Sequence, residues 1–387
     1  MPGSKRYASI LMSPGPVHVF AESRESLPPL HHRSDDFRKI VKETEGMLRT
    51  LLGTTSPVYL LTSSGTGAME AAIANVTVPG SRVLVVSGGK FGRRWAEICR
   101  AFECRTTLME TGIGKAVDAD SVAERIDRDR PEYVAVTHVE SSTGILFPLR
   151  ELAARLGRER PILVVDAISS VGAEELDMDG WGIDVVVGAS QKSLAAPSGA
   201  SFIGVAKRAL ALVGRRQKGA YYFDLARFEA AREAGDTPFT PAIETIQVMH
   251  RSLGRMSESG FKSVVSRHQE ASRAFLAAAS RLSLRSFPEK PSSAVQVLET
   301  APGCGADAIL GRLARDGFIA ASGQDELKGK VIRTGFLGFF GLPTLERFVV
   351  ALGTAVAASG CSVDMGAARE RMREYDYHAS LFGSGDG

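Results

Sequence analysis

Lys192 follows the apolar run Val185-Val186-Val187-Gly188-Ala189 by a short Ser-Gln step, and a second apolar run, Ile162-Leu163-Val164-Val165, ends in Asp166. Both runs read as strands buried on two faces, which leaves the amine and the carboxylate at the mouths of neighbouring strands. An amine so placed can form a Schiff base with an aldehyde. A nearby carboxylate can hold a heterocyclic nitrogen protonated, so that the ring accepts electrons. Each residue alone has an ordinary explanation, since a lysine after a strand is commonly solvated and an aspartate at a strand end commonly caps a turn. A third element joins them: Leu60-Leu61-Thr62-Ser63-Ser64-Gly65-Thr66-Gly67 runs into the helix-forming Ala68-Met69-Glu70-Ala71-Ala72. Small residues at a helix start leave the first N–H groups free to face an anion, and the helix dipole favours negative charge there. An N-cap ahead of an ordinary helix gives the same pattern. The stretch has neither the Lys-Ser/Thr pair of a Walker A loop nor the Gly-x-Gly-x-x-Gly of a dinucleotide fold. Phosphate cup, carboxylate and amine together are what pyridoxal 5'-phosphate requires.

The order of these elements resembles the class V aminotransferases of the aspartate aminotransferase fold (fold type I), and most closely their alanine-glyoxylate and serine-pyruvate branch. The resemblance runs through Ser13-Pro14-Gly15-Pro16, His31-His32-Arg33, Ser64-Gly65-Thr66-Gly67, Phe91-Gly92-Arg93-Arg94-Trp95, Glu140-Ser141-Ser142-Thr143-Gly144, Val165-Asp166-Ala167, Ser190-Gln191-Lys192 and Ile332-Arg333-Thr334-Gly335. It implies a transaminase that moves an amino group from a small amino acid to a 2-oxo acid, glyoxylate or pyruvate by default. Lys192 would tether the cofactor and act as base, and Asp166 would pair with the ring nitrogen. Phe91 would stack on the ring, Ser141 would sit near its phenolic oxygen, and Ser64, Gly65, Thr66 and Gln191 would hold the phosphate. Thr240, in Thr237-Pro238-Phe239-Thr240-Pro241-Ala242, would reach the phosphate of a partner subunit, which makes a homodimer the expected assembly. Arg333 would clamp the substrate carboxylate through its planar fork.

Two departures from the family pattern bear on the substrate wall: Ala196-Pro197-Ser198-Gly199 replaces a Pro-Pro-Gly, and Gly335-Phe336-Leu337-Gly338-Phe339-Phe340 is unusually aromatic. The amino donor therefore stays open. So do two other readings: a lyase or desulfurase reaction on the same cofactor, with Cys304 in Pro302-Gly303-Cys304-Gly305 as its only candidate nucleophile, and a cofactor-binding protein that has lost catalysis.

Composition narrows the partners. The 387 residues exceed what one core usually fills, so two domains are expected. A net charge of +3 with interspersed signs argues against nucleic acid. No apolar run reaches membrane-spanning length and no signal-peptide core follows the first residues, so a cytoplasmic enzyme is expected. The cysteines Cys99, Cys104, Cys304 and Cys361 form no C-x-x-C pair, which predicts buried reduced thiols and no metal. His31-His32-Arg33 reads as a loop lining the entrance, since adjacent histidines seldom share a metal.

The elements that must position these residues are legible as well. Residues 34–53 predict a helix capped by Ser34 or Asp35 and stopped by Gly53. Strands are predicted at 82–86, 133–139, 162–165, 184–188 and 202–205, with helices between, as at 95–104 and 149–156. They form a mostly parallel, doubly wound large domain over 20–260, after an N-terminal segment 1–19. A smaller α+β domain over 261–387 is predicted, with helices at 266–282 and 306–317 and strands at 294–298 and 330–334. A solvated helix is expected over 366–382, and the last residues read as a polar tail.

Overall fold

Apolar runs of four to six residues become the central sheet because strands covered on both faces can use Val, Ile and Leu at every position. In the computed structural model, which describes residues 9–19, 27–157, 159–214, 220–338 and 341–374, the N-terminal and large-sheet strands are β1 (Ile10–Leu11), β2 (Val58–Leu61), β3 (Arg82–Ser87), β4 (Arg105–Glu110), β5 (Tyr133–Thr137), β6 (Val139–Glu140), β7 (Ile145–Leu146), β8 (Ile162–Asp166), β9 (Val185–Ala189) and β10 (Ser201–Val205). Seven of them form one sheet in the order β2-β10-β9-β8-β5-β3-β4. All its pairings are parallel except those of β10, which runs antiparallel to both β2 and β9. The faces alternate as pleating requires. Leu84, Val86, Val134, Val136, Leu163, Val165 and Val186 enter one core. Val83, Val85, Ala135, Val164, Val185 and Val187 enter the other.

The C-terminal part adds β11 (Leu284–Ser286), β12 (Val295–Thr300), β13 (Phe318–Ile319), β14 (Ala321–Ser322) and β15 (Val331–Gly335). Four of these make an antiparallel sheet ordered β11-β12-β15-β14. Helices Phe261–Ala279, Ala306–Arg315, Leu342–Ala357 and Met365–Arg373 enclose a third core with it. The fold is therefore α/β, with a mostly parallel sheet and a smaller α+β layer.

Local signals are obeyed closely in places. The helix Asp35–Leu52 is capped by Ser34, whose Oγ accepts from Phe37 N at 3.3 Å, and is closed by Gly53 at φ 65°. Elsewhere the structure corrects the sequence. The strand expected over 133–139 ends at Thr137, where the β5-β8 ladder closes with His138 N donating to Asp166 O (2.9 Å), and the chain then enters the β6-β7 hairpin. The helix expected from 95 begins at Lys90. Two arginines near a helix start oppose its dipole, but a distant carboxylate, Glu140, accepts from Phe91 N and Gly92 N and caps that end. Cys304 and Cys361 are not separate thiols: packing of the C-terminal layer brings their Cα atoms to 6.2 Å and they are paired. Cys99 and Cys104 are free and buried. The second half of the expected 366–382 helix, the polar tail, and Phe339 and Phe340 lie outside the described residues. Among those described, no helix is long and apolar enough to cross a membrane.

The N-terminal segment crosses both layers. β1 pairs parallel with β13, and Met12 O accepts from Gly335 N (3.0 Å) and Thr334 Oγ1 (2.7 Å). Five residues on, Val17 N donates to Gln191 O at 3.3 Å.

Candidate active site

Parallel strands deliver their following residues to one edge, and the sheet does so here. Asp166 ends β8 in register with Val187 of β9, and Lys192 follows β9 by three residues. The Lys192 turn is held from within: Ala195 N donates to Lys192 O (2.9 Å), Ala196 N to Ser190 O (3.0 Å) and Ser190 Oγ to Pro197 O (2.6 Å). Lys192 Nζ donates to Pro14 O at 2.5 Å. Gly15 must be glycine at that crossing, because it sits at φ +122° and a Cβ would meet Lys192 Cδ at 2.6 Å.

A cleft of about 220 Å³ opens between these elements. Ser64, Gly65, Thr66, Phe91, Ser141, Asp166, Gln191 and Lys192, all expected at the site, line it together. Ser64 is the N-cap of the helix Gly65–Val76 but makes no side-chain cap bond. Gly65 allows the close approach of Ile168, whose Cδ1 would lie 2.5 Å from a Cβ there. Gln191 Oε1 is buried with no partner among the described residues, which is the state of a polar atom awaiting a ligand.

Burial sets the electrostatics. Desolvation pushes the Asp166 carboxyl up to about 7; a hydrogen bond from Ile168 N (2.8 Å) opposes this, the Glu140 charge adds to it, and Lys192 and Arg94 pull it back. Desolvation likewise brings the Lys192 ammonium down to about 8, against the attraction of Asp166 and with the repulsion of Arg333. An added cationic ring N–H beside Asp166 would keep that carboxylate ionised.

Arg333, on β15, is buried beside this pair rather than in the cleft wall proper. Its Nε donates to Ser322 O (2.8 Å) and its Nη1 to Ser141 O (2.9 Å), which fixes the plane of the fork. Thr240 does not line the cleft. It is exposed in the loop before the helix Ile243–Ser259, close to where Ala242 N reaches Thr62 Oγ1 (2.9 Å). His31 and His32 lie outside the cleft wall with their rings 4.6 Å apart. Cys304 is also absent from that wall, which removes the nucleophile a desulfurase would need from the place it would act.

Two residues of the site had no role in the sequence reading. Glu140 is a buried carboxylate that accepts from Phe91 N (3.0 Å), Gly92 N (2.9 Å), Ser142 N (3.1 Å) and Ser142 Oγ (2.5 Å). It ties the turn carrying Ser141 to the turn carrying Phe91. Arg94 lines the cleft between Thr66 and Phe91. Both stand inside quoted motifs, yet their partners are distant in sequence, so only a contact map could have found them.

An α/β sheet whose strand ends gather an anion cup, a buried carboxylate and a desolvated lysine defines a fold type I pyridoxal phosphate enzyme, and the residues present fit that cofactor. The chain belongs to the aminotransferase class V family, whose pattern it matches over residues 21–302. It is a pyridoxal phosphate-dependent aminotransferase. Among its relatives, the soluble hydrogenase 42 kDa subunit of Anabaena cylindrica is 34% identical, covering 81% of this chain and 84% of that one. The L-aspartate–glyoxylate aminotransferase of Paracoccus denitrificans is 30% identical, over 77% and 78%. The crystal structure of ureidoglycine-glyoxylate aminotransferase from Bacillus subtilis superposes with a TM-score of 0.88 at 25% identity, over 97% and 99%. Arg333 lies beyond the span that carries the family match and rests on its geometry.

Proposed function

We propose that this aminotransferase passes an amino group from a small amino acid to glyoxylate. The observation that carries this is the placement of Arg333, whose fork is held rigid within electrostatic reach of the Lys192 amine. Glyoxylate as acceptor is supported by the relatives from Paracoccus denitrificans and Bacillus subtilis, whose names specify it.

Bound in the cleft, pyridoxal phosphate supplies an electron sink for the carbanion formed when a substrate Cα–H bond breaks. The protein's residues do the rest. Asp166 would pair with the ring nitrogen and keep it protonated. Lys192 would tether the cofactor through its amine and, when free, would be the base that holds and moves the substrate Cα proton. Arg333 pairs with the substrate carboxylate and turns the Cα–H toward Lys192. Phe91 would hold the ring by stacking at little entropic cost, and Ser141 would offer its hydroxyl to the ring's oxygen. Ser64, Gly65, Thr66 and Gln191 bind the phosphate. Thr240 completes the same contact across a two-fold interface, so the working form is a homodimer of chains with domains over 20–260 and 261–387.

A half-reaction screen tests the assignment. Purified enzyme is mixed with single amino acids, and bleaching of the bound-cofactor absorbance is followed together with release of the oxo acid; each competent donor form is then challenged with glyoxylate or pyruvate. Recovery faster with glyoxylate supports the reading. Recovery with neither, or release of sulfide or ammonia in place of an oxo acid, overturns it.

A further inference from the structure

Two consecutive arginines follow the first three residues of the helix Lys90–Ala101, and they have different surroundings. Arg93 faces the rim, with Nε 2.7 Å from Glu110 Oε1 and Nη2 3.7 Å from Glu326 Oε1. Arg94, about 100° further round the helix, faces the cleft. Among the described residues it makes no ion pair with a carboxylate. Instead its Nη1 donates to Thr66 Oγ1 at 3.0 Å, and its guanidinium lies 4.7 Å from the centre of the Phe91 ring.

Thr66 belongs to the first turn of the helix Gly65–Val76, where free N–H groups face the same space. The groups already assigned to the phosphate in this chain are neutral donors. A phosphate monoester carries between one and a half and two negative charges near neutral pH, and a dianion held only by neutral donors in a partly desolvated cup is under-compensated. A guanidinium fork answers that deficit, since it binds phosphate oxygens in pairs and loses less hydration than an ammonium does. Its flat face can stay on Phe91 meanwhile, so one residue would steady both the phosphate and the ring that stacks on the cofactor.

We propose that Arg94 is the cation of the phosphate cup, exchanging its bond to Thr66 for a paired contact with the phosphate group. This rests on the assignment of Ser64, Gly65 and Thr66 to the phosphate. It also accords with Arg94, unlike Arg93, making no direct ion pair among the described residues: Asp166 acts on it only across the cleft, which leaves its fork open to the ligand.

The test compares pyridoxal phosphate, pyridoxal and inorganic phosphate as probes on the full-length chain stripped of cofactor. Dissociation constants are read from the absorbance of the bound aldehyde and from competition by inorganic phosphate. Loss of one charged bond pair predicts that Arg94→Gln weakens pyridoxal phosphate by about 10- to 100-fold. Pyridoxal should stay within about threefold, and inorganic phosphate should compete less well. Arg94→Lys, which keeps charge without the fork, should fall between. Thermal unfolding without any probe confirms that each variant is folded, and the lysine variant carries the comparison if the glutamine variant is not. Unchanged pyridoxal phosphate affinity overturns the proposal, as does equal weakening of both aldehydes, which would make Arg94 a support for the Phe91 ring. If the wild type binds pyridoxal as tightly as pyridoxal phosphate, the assignment of the cup fails, and that outcome is distinct from any result with Arg94.

Discussion

Around Lys192 the buried groups are charged or unpaired: an amine shifted to about 8, a carboxyl shifted to about 7, and a glutamine oxygen with no partner among the described residues. Around Phe348, in the C-terminal core, the buried groups are apolar, four phenylalanine rings among them. Phe275 lies 4.6 Å from Phe336 and 5.8 Å from Phe348, and Phe318 lies 5.5 Å from Phe348. Edge-to-face and offset contacts of this kind satisfy each ring within the fold. The cleft stores unmet interactions that a ligand can complete, and it can do so because the strands beneath it and the aromatic core beside it are fully packed. Arg333 lies between the two, since Ile332 before it on β15 enters that core while its own Nη1 reaches the carbonyl of Ser141, a residue of the cleft wall.

The contrast can be broken most severely at Lys192. Lys192→Ala should abolish the borohydride-trapped cofactor and cut turnover by roughly 10⁴-fold or more, because tether and base disappear together. Its thermal unfolding should change little, and near-normal turnover would defeat the assignment. The opposite lesion is Phe348→Ala, which should cost about 3–5 kcal/mol of stability by opening a cavity in the aromatic core. Cofactor affinity measured below its unfolding temperature should be preserved; loss of affinity in the folded variant would show that the two regions are not separable.

Asp166→Asn keeps shape and removes charge, so turnover should fall roughly 10²- to 10³-fold while the cofactor still binds. An unchanged rate would show that the ring nitrogen has another partner. Arg333→Lys tests the bridge between regions. KM for amino and oxo acids should rise about tenfold with the bound-cofactor spectrum intact, and unaltered kinetics would place the clamp elsewhere. The smallest effect concerns pH. Only the neutral amine attacks an aldehyde, and the shifted Lys192 is protonated below about 8. The rate of cofactor attachment should therefore fall about tenfold per pH unit below that point and level off above it. A rate that keeps climbing toward pH 10 would mean the amine is not desolvated.

Much of this was readable from the chain because the signals are local. The runs ending in Asp166 and leading to Lys192 are buried on both faces, so composition alone marks them as strands. Ser34 carries its cap chemistry in its own hydroxyl, and Gly53 carries it in the lack of a Cβ, which frees the left-handed turn that closes the helix. The sheet edge was not readable: β4, Arg-Thr-Thr-Leu-Met-Glu, is only partly buried and lacks an apolar run. Glu140 and Arg94 act on residues 49 and 28 positions away, and Cys304 meets Cys361 across 57. Such partnerships are decided by topology. Thr240 shares that difficulty, since its expected partner belongs to another copy of the chain.

The N-terminal strap has a consequence for synthesis. Met12 O holds Thr334 Oγ1 across 322 positions of sequence, and the same strap places Pro14 O on the Lys192 amine. A ribosome makes the strap about 300 residues before its strand partners β13 and β15, and domains generally fold in the order they emerge. The large sheet can therefore form around a lysine whose strap is still undocked, and closing so long a loop is a late event. Nascent chains stalled before residue 318 should hold the sheet but not the finished lysine pocket, so competence for the cofactor arrives only once β13 and β15 have been made.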